Sequence, residues 1–349
     1  MGDKIGIMGA GALGCYVGAF LAREGEDVTF VDMWPEHVEK MRKDGLHVTG
    51  SQGPFTVPVK AMHLTDAQSI TEPFDFVFVS MKSYDTEWAT HFIKRYVRDD
   101  GFFVSLQNCW NDVPIGDIVG KNRAIGCIAS HIEVALWEPG HVTRGGAVGR
   151  DSGHHVFRVA EHDERITPRT EMVAKLLDNI DGAYASDNLW GERWSKLCQN
   201  SMGNGLSAAS GLGSQQLAED PRCRLIRIHL AKEGAQVGRA MGLNVVNIQG
   251  VPAETWAGAD KGDVFEELDG FLASHGGRVN WRASMAQDVA KGRRSEIDFM
   301  NGLVAQKGRE FAVPTPYNDA VIESMHGVDD GTLPQGEEHV DRILKAVGR

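Results

Sequence analysis

Residues 4–23 of the chain read KIGIMGAGALGCYVGAFLAR. The first five residues predict a short buried strand, and from Ala12 onward the apolar residues recur at helical spacing. Between them, Gly9-Ala-Gly11-Ala-Leu-Gly14 fits the pattern G-x-G-x-x-G. The first glycine permits a tight turn, the second lets a ligand approach the backbone, and the third lets the helix pack on the strand. The stretch therefore predicts a strand, a glycine turn and a helix in immediate succession.

This strand-turn-helix unit suits the pyrophosphate of a dinucleotide, because the start of the helix offers amide donors and a partial positive charge. Glycine triplets are common in a chain with 41 glycines, so a purely structural turn is the alternative. Here the pattern follows a strand and opens a helix, which favours dinucleotide binding. The residues expected to bind the cofactor in this loop are Gly9, Gly11, Ala12, Leu13 and Gly14.

Asp32 stands at the end of the next predicted strand. An acidic side chain at this point accepts hydrogen bonds from the adenosine ribose hydroxyls and repels a 2′-phosphate. Asp32 therefore favours NAD as the cofactor, although NADP is not excluded. The alternative is that Asp32 only caps the turn that follows at Trp34-Pro35.

Strand-like runs alternate with helical stretches in the first half of the chain, which predicts an α/β fold with a Rossmann-type, doubly wound parallel sheet. The predicted strands are 4–8, 27–32, 74–80, 101–107 and 123–129. Glycine-rich turns between His141 and Ala160 predict an antiparallel extension at one edge of this sheet.

The pattern changes near residue 188, after which strand-like runs all but vanish. Helical patterns run through 189–209, 221–241, 263–274, 282–307 and 337–347. We therefore predict a dinucleotide-binding Rossmann domain at 1–187 and an all-helical C-terminal domain at 188–349.

The net charge of -12 repels polyanions, so neither nucleic acid nor an anionic membrane is an expected partner. No apolar run approaches the roughly 18 residues that a membrane-spanning helix needs, and the first residues do not form a secretion signal. The cytoplasm is therefore the expected location. The 5 cysteines include no C-x-x-C pair, which predicts reduced thiols, and no metal site is expected from them or from His154-His155.

Polar residues follow two of the predicted strands at the edge that faces ligand in an open α/β sheet. Lys82 comes after the third strand, and Asn108 comes after the fourth. A lone loop lysine is more often simply solvated, so the position of Lys82 is suggestive rather than specific.

The predicted helix 190–209 carries Lys196, Asn200 and Asn204 at successive turns along one stripe. A solvated face is the alternative, but asparagine is a mediocre helix former and two in step favour a function. Further along, Ser284 and Glu296 lie roughly 120° apart on an ideal helix. They converge only if the helix breaks, for which Gly292 is a candidate, with Ser295 as a cap for the next helix.

Together these motifs resemble the 2-dehydropantoate 2-reductase, or ketopantoate reductase, family. The resemblance spans about residues 4–318. Its most specific segments are the two in the C-terminal half. The matching segments are Gly9–Gly14, Lys82 after its strand, Gln107-Asn108, Arg193–Asn200 and Arg294–Gly302.

The resemblance implies a homodimer in which the helical domain helps to bind substrate, and a hydride transfer between a nicotinamide and a small keto or hydroxy acid. It implies that Lys196 is the general acid that protonates the developing alkoxide. Asn108 and Asn200 would position substrate and nicotinamide, and Lys82 would lie near the cofactor.

The resemblance also implies a substrate-binding set in the helical domain. Asn204, Ser284 and Glu296 would hold the carboxylate and hydroxyl ends of the substrate, with Asn108 and Asn200 beside them. Lys196, Asn200 and Glu296 form the expected catalytic set.

The sequence departs from the family pattern at three places. Asp32-Met33-Trp34 stands where the family usually has a basic residue for the NADP phosphate. Cys109-Trp110 follows Asn108 where glycine is usual. The segment 247–282 is longer than the compact family pattern and leads into Ser284, so the substrate is the least determined feature.

Two other functions remain open at this point. A β-hydroxyacid dehydrogenase of the 6-phosphogluconate type also presents lysine and asparagine on a long helix, but the block at 293–298 favours the reductase family. A dinucleotide-binding sensor without catalysis is the second alternative. The combination of Lys196, Asn200 and Glu296 argues against it.

Overall fold

The computed structural model describes residues 2–275 and 282–349. The chain divides into two compact units, which span 1–189 and 190–349. The last part of the 247–282 segment lies outside the described residues.

The described part of the first unit contains strands and helices in alternation. Its strands are β1 (Lys4–Met8), β2 (Asp27–Asp32), β3 (Leu46–Gly50), β4 (Phe55–Val57), β5 (Lys60–His63), β6 (Phe74–Val79), β7 (Val97–Ser105), β8 (Ala124–Ala129), β9 (Glu133–Glu138), β10 (His141–Gly145), β11 (Phe157–Glu161) and β12 (Ala183–Ala185). Its helices are α1 (Ala12–Arg23), α2 (Pro35–Asp44), α3 (Thr86–Ile93), α4 (Asp112–Val119) and α5 (Pro168–Asp178).

The second unit is helical in its described residues. Its helices are α6 (Leu189–Ser201), α7 (Asn204–Ser210), α8 (Ser214–Glu219), α9 (Pro221–Ala240), α10 (Ala253–Ala257), α11 (Val264–Ser274), α12 (Ser284–Ala290), α13 (Asn301–Glu310), α14 (Pro316–Asp329) and α15 (Glu338–Ala346). A 3-10 turn at Ile297–Phe299 precedes α13.

The main sheet of the first unit has the strand order β12-β11-β8-β7-β6-β1-β2-β5. The six strands from β5 to β8 are all parallel, and their order is that of the Rossmann sheet. Strands such as β6 are almost wholly buried, which is why they appear in the sequence as continuous apolar runs. The predicted fold class is confirmed.

The predicted antiparallel extension is correct for one strand and wrong for another. β11 does pair antiparallel with β8 and, with the edge strand β12, extends the main sheet. β10, however, belongs to a separate four-stranded sheet of order β4-β3-β10-β9. In β3 and β10 alternate residues are buried, as in Val48 and Val142, because only one face of this sheet packs against the protein.

The two sheets cover α1 from opposite sides. Residues Gly14 to Leu21 are buried without interruption, so no face of this part of the helix meets solvent. The main sheet approaches so closely that a Cβ atom on Gly18 would lie 2.4 Å from the ring of Phe30. The four-stranded sheet contributes Val48 and Val142 to the same apolar core.

A buried ion pair connects the four-stranded sheet to the rest of the unit. The guanidinium of Arg144 on β10 contacts the carboxylate of Asp181, and both side chains are fully inaccessible to solvent. Asp181 also accepts the backbone N–H groups of Gly149 at 2.9 Å and Arg150 at 2.7 Å. Burial alone would raise the pKa of Asp181, but Arg144 and the backbone donors outweigh it and hold this pKa below its ordinary value.

We expect Asp181→Asn to lower the free energy of unfolding by about 3–5 kcal/mol, because it leaves the Arg144 guanidinium buried without a counter-charge. Urea unfolding of the purified protein measures the change. Asp178→Asn is the matched control, since Asp178 pairs with Arg150 at the surface, with side chains about half exposed, and is expected to cost less than about 1 kcal/mol. Equal effects of the two substitutions would contradict the prediction.

Two predicted helices of the second unit are interrupted. The helix predicted at 189–209 ends at Ser201 and resumes at Asn204, because Gly203 takes a φ of -137° outside the helical range. The single stripe of Lys196, Asn200 and Asn204 is therefore wrong, since Asn204 begins α7. The helix predicted at 282–307 is divided into α12, the 3-10 turn and α13, and Gly292 has a φ of +63° at the break.

Candidate active site

One edge of the main sheet collects most of the cofactor-binding residues predicted from the sequence. β2, β1, β6 and β7 are neighbours and parallel, so their carboxyl ends meet at the same edge. Gly9, Asp32, Lys82 and Asn108 lie at or just beyond these four ends. In an open α/β sheet this edge is where ligands bind.

The glycine loop has the geometry that its three glycines predict. Gly9 has a φ of +99°, and a Cβ atom there would lie 2.6 Å from Met81 Sδ. A Cβ atom on Gly14 would lie 2.3 Å from the carbonyl oxygen of Gly9, so this glycine lets α1 approach the strand. Gly11 differs, because the nearest protein atom to its Cβ position is 3.7 Å away. Internal packing therefore does not require a glycine at position 11, whereas close approach of a ligand to the backbone would.

The start of α1 fits a phosphate group. Gly11 is the N-cap, no side chain of the described residues caps the helix, and its first turn contains no acidic residue. The backbone N–H groups of Ala12 and Leu13 lie at the start of α1. A pyrophosphate would complete their hydrogen bonding and meet the positive end of the helix dipole.

Asp32 holds the glycine loop and the following turn together. Its side chain is 9% exposed. One carboxylate oxygen accepts the N–H of Ala10 at 2.6 Å, and the other accepts the N–H of Trp34 at 2.8 Å. Asp32 therefore does cap the turn at Trp34, as one of its two interpretations predicts. A carboxylate has about four acceptor positions, so these two bonds leave capacity for ribose hydroxyls.

His37 also contacts the glycine loop, through Ala10. The sequence pattern does not predict this contact. The imidazole is fully buried, and its Nδ1 accepts the N–H of Gly140 at 2.9 Å. Nε2 therefore carries the proton and donates it to the carbonyl oxygen of Ala10 at 3.0 Å. The peptide groups on both sides of Ala10 are fixed, one by Asp32 and the other by His37. No local pattern around Trp34-Pro35 signals this contact.

Lys82 and Asn108 are half-buried at the same sheet edge. The residue after Asn108, Cys109, is buried and has a φ of +65°. Left-handed backbone is unfavourable for a residue with a Cβ atom, which explains why the family pattern has glycine here. This chain adopts left-handed backbone here with cysteine.

The second unit carries the remaining predicted residues. Lys196 and Asn200 are one turn apart on α6 and half-buried. Asn204 begins α7, Ser284 begins α12, and Glu296 is 6% exposed just before the 3-10 turn.

α7, which begins at Asn204, contacts the segments that carry Ser284 and Glu296. α7 packs against α12, which begins at Ser284. A Cβ atom on Gly205 would lie 3.0 Å from Ile297 Cδ1, so the residues that follow Asn204 and Glu296 are in contact. The chain breaks at Gly292, the candidate position, and the Ser284 and Glu296 segments on either side of the break both contact α7.

Asn301 fixes the C-terminal end of α6 through hydrogen bonds to Ser201 and Asn318. Its Nδ2 donates to the carbonyl oxygen of Ser201 at 3.0 Å and to Asn318 Oδ1 at 2.9 Å. Asn318 in turn donates through Nδ2 to Glu233, whose carboxylate also accepts the N–H groups of Tyr317 and Asn318 at the start of α14. Burial raises the pKa of Glu233 to about 7. This buried network connects α6, α9, α13 and α14.

The described residues provide no evidence for a metal or for a membrane span. They contain no group of three or more histidine, cysteine, aspartate or glutamate side chains arranged to hold a metal ion. His154 pairs instead with His131, at 2.6 Å between ring nitrogens. None of the described helices is both long enough and apolar enough to cross a bilayer.

The comparisons with known proteins cover almost the whole chain. Residues 5–154 match the family model described as ketopantoate reductase PanE/ApbA, and residues 188–329 match its C-terminal part. The 2-dehydropantoate 2-reductase of Archaeoglobus fulgidus is 29% identical over 336 residues, which cover 94% of this chain and 99% of that protein.

Solved structures show the same similarity. A PanE/ApbA family ketopantoate reductase from Ralstonia eutropha JMP134 has a TM-score of 0.76 and 26% identity, covering 94% of this chain and 99% of that one. D-mandelate dehydrogenase, solved with NADH and anilino(oxo)acetate, has a TM-score of 0.78 and 22% identity with the same coverage, and it shares the fold. These matches set aside the 6-phosphogluconate-type alternative. The chain belongs to the ketopantoate reductase family, and it is an NAD(P)-dependent oxidoreductase that acts on a CH–OH group.

Proposed function

We propose that the protein interconverts a small 2-keto acid and its 2-hydroxy acid, with NADH as the favoured cofactor and Lys196 as the proton donor. The observation that carries the proposal is the placement of Lys196 and Asn200 one turn apart on a helix whose end is fixed by Asn301. A half-buried ammonium group beside an amide is suited to a reaction in which negative charge develops on a carbonyl oxygen.

A nicotinamide dinucleotide held by the Gly9–Gly14 loop and Asp32 would supply the hydride for the keto carbon. Lys196 gives a proton to the carbonyl oxygen, and before that its positive charge stabilises the developing alkoxide. Asn200 and Asn108 orient substrate and nicotinamide. Asn204, Ser284 and Glu296 hold the carboxylate and hydroxyl ends of the substrate, and Lys82 lies near the cofactor. The first unit binds the dinucleotide in this proposal, and the helical unit binds substrate.

The preference for NADH rests on Asp32 and its neighbours. A carboxylate that is anchored at the end of β2 would repel a 2′-phosphate. Met33, which is 42% exposed, offers no positive charge in place of the basic residue that the family pattern has there. Homodimerisation through the helical unit is part of the proposal and rests on the family resemblance. The cytoplasmic location expected from the sequence is part of it as well.

A panel of keto acids tests the proposed activity directly. We expect the purified protein to oxidise NADH with 2-keto acids that have branched or aromatic side chains, including 2-dehydropantoate, and to do so faster than with 3-keto acids. The assay follows loss of nicotinamide absorbance with NADH and NADPH in parallel. Cofactor binding without turnover of any 2-keto acid would favour the sensor alternative instead.

Lys196→Ala is expected to lower kcat by at least about 100-fold, because the alkoxide loses its proton donor. The dissociation constant for NADH, measured by fluorescence titration, is expected to stay within about threefold. Lys232→Ala is the matched control, since Lys232 lies on α9 and pairs with Asp260. An activity near that of the wild type in Lys196→Ala would remove this residue from the mechanism.

Asp32→Ala is expected to raise the ratio of kcat/KM with NADPH to kcat/KM with NADH by at least about 10-fold, because it removes a repulsion that acts only on the 2′-phosphate. The ratio is the right measurement, since loss of the bond to Ala10 affects both cofactors alike. Asp27→Ala, at the opposite end of β2, removes a partly exposed carboxylate that pairs with Lys60 and is expected to leave the ratio unchanged. An unchanged ratio in Asp32→Ala would refute the NADH preference.

A further inference from the structure

Behind the sheet edge, buried polar side chains connect the loop after β6 with the loop after β7. All of them are at most 6% exposed. Ser83 comes from the first loop and Thr86 begins α3 at its end, while Gln107 and Asn111 come from the second loop. Polar groups at such depth are costly unless they are hydrogen-bonded, so their contacts define a specific arrangement.

Asn111 lies at the centre of this arrangement. Its Nδ2 donates to the carbonyl oxygen of Asn108 at 2.8 Å and to Ser83 Oγ at 2.9 Å. Its Oδ1 accepts the hydroxyl of Thr86 at 3.1 Å. One amide side chain therefore contacts the backbone of its own loop and two side chains of the neighbouring loop.

Gln107 determines which way the Asn111 amide points. Gln107 Nε2 donates to Thr86 Oγ1 at 2.8 Å and to the carbonyl oxygen of Met81 at 2.8 Å. Because Thr86 Oγ1 accepts this bond, its own proton is available for Asn111 Oδ1. The amide group of Asn111 then faces the Asn108 carbonyl as a donor.

The bond to Asn108 acts on the peptide group that leads into Cys109. This is the residue with a φ of +65°, a conformation that costs of order 1–3 kcal/mol for a residue with a Cβ atom. Such a backbone persists only where its surroundings hold it in place. Asn111 holds the carbonyl oxygen directly before it, so it fixes the backbone from which the Asn108 side chain extends.

We propose that Asn111 is a positioning residue. It directs the Asn108 amide towards the reaction site and holds it at a fixed position relative to the loop that carries Lys82. The inference rests on the proposed role of Asn108. Asn111 itself is buried behind the loop, so its effect on catalysis passes through Asn108. A general contribution to stability alone would have no such dependence.

A double-mutant cycle separates the two possibilities. We expect Asn111→Ala to lower kcat/KM for the 2-keto acid by about 10- to 100-fold in the wild-type background, because a displacement of about 1 Å at a positioning group can cost 100-fold. In an Asn108→Ala background the same substitution is expected to change kcat/KM by less than about threefold, since the group that it positions is absent.

The control is Thr170→Ala, which removes a comparably buried hydroxyl from the N-terminal cap of α5. It is expected to lower the thermal midpoint and leave kcat/KM unchanged. If Asn111→Ala does not fold, Thr86→Val takes its place in the cycle, because it removes the hydroxyl that orients the Asn111 amide.

The outcomes separate the inference from the proposed function. If Asn108→Ala lowers activity and Asn111→Ala lowers it by the same factor in both backgrounds, Asn111 does not act through Asn108 and the inference fails alone. Wild-type activity in the Asn111→Ala variant would also overturn the inference. If Asn108→Ala keeps wild-type activity, the proposed role of Asn108 fails and the inference fails with it.

Discussion

The burial of α1 on all sides is the constraint on which the rest of the first unit depends. A helix covered by a sheet on each side has no freedom to shift, so its N-terminus and the glycine loop before it are held at a fixed place above β1. The glycines at positions 14 and 18 are consequences of this close packing. The four-stranded sheet is needed because the main sheet covers only one side, and the buried pair of Arg144 and Asp181 attaches it.

Much of this fold can be predicted from the sequence, because strands buried on both faces appear as apolar runs that need no partner to be identified. β1, β6 and β8 are of this kind. The four-stranded sheet is harder to predict, since β3 and β4 are short and half polar. Its central pairing joins β3 to β10 in parallel, between residues almost a hundred positions apart. α14 was also missed, although Pro316 at its first turn is a typical helix start.

The site could be predicted to the extent that its residues follow strands or repeat along helices. Lys82 and Asn108 become candidates because they follow strands, and Asp32 becomes one because it ends a strand. Asn204 was placed on the wrong helix, because helical periodicity does not show that Gly203 interrupts the backbone. His37 and Asn111 act through contacts 103 and 28 residues away, and a periodic pattern carries no information about such pairs.

The bonds of Asp32 have a consequence for the evolution of cofactor preference in this fold. The carboxylate that we propose binds the ribose is also the acceptor for the Ala10 N–H, so cofactor recognition and loop geometry cannot change independently. A lineage that exchanges this residue for a basic one must find another acceptor for that amide. A change from NAD to NADP preference therefore also depends on the stability of the glycine loop. A single substitution of Asp32 changes the preference only at the expense of a hydrogen bond that holds this loop.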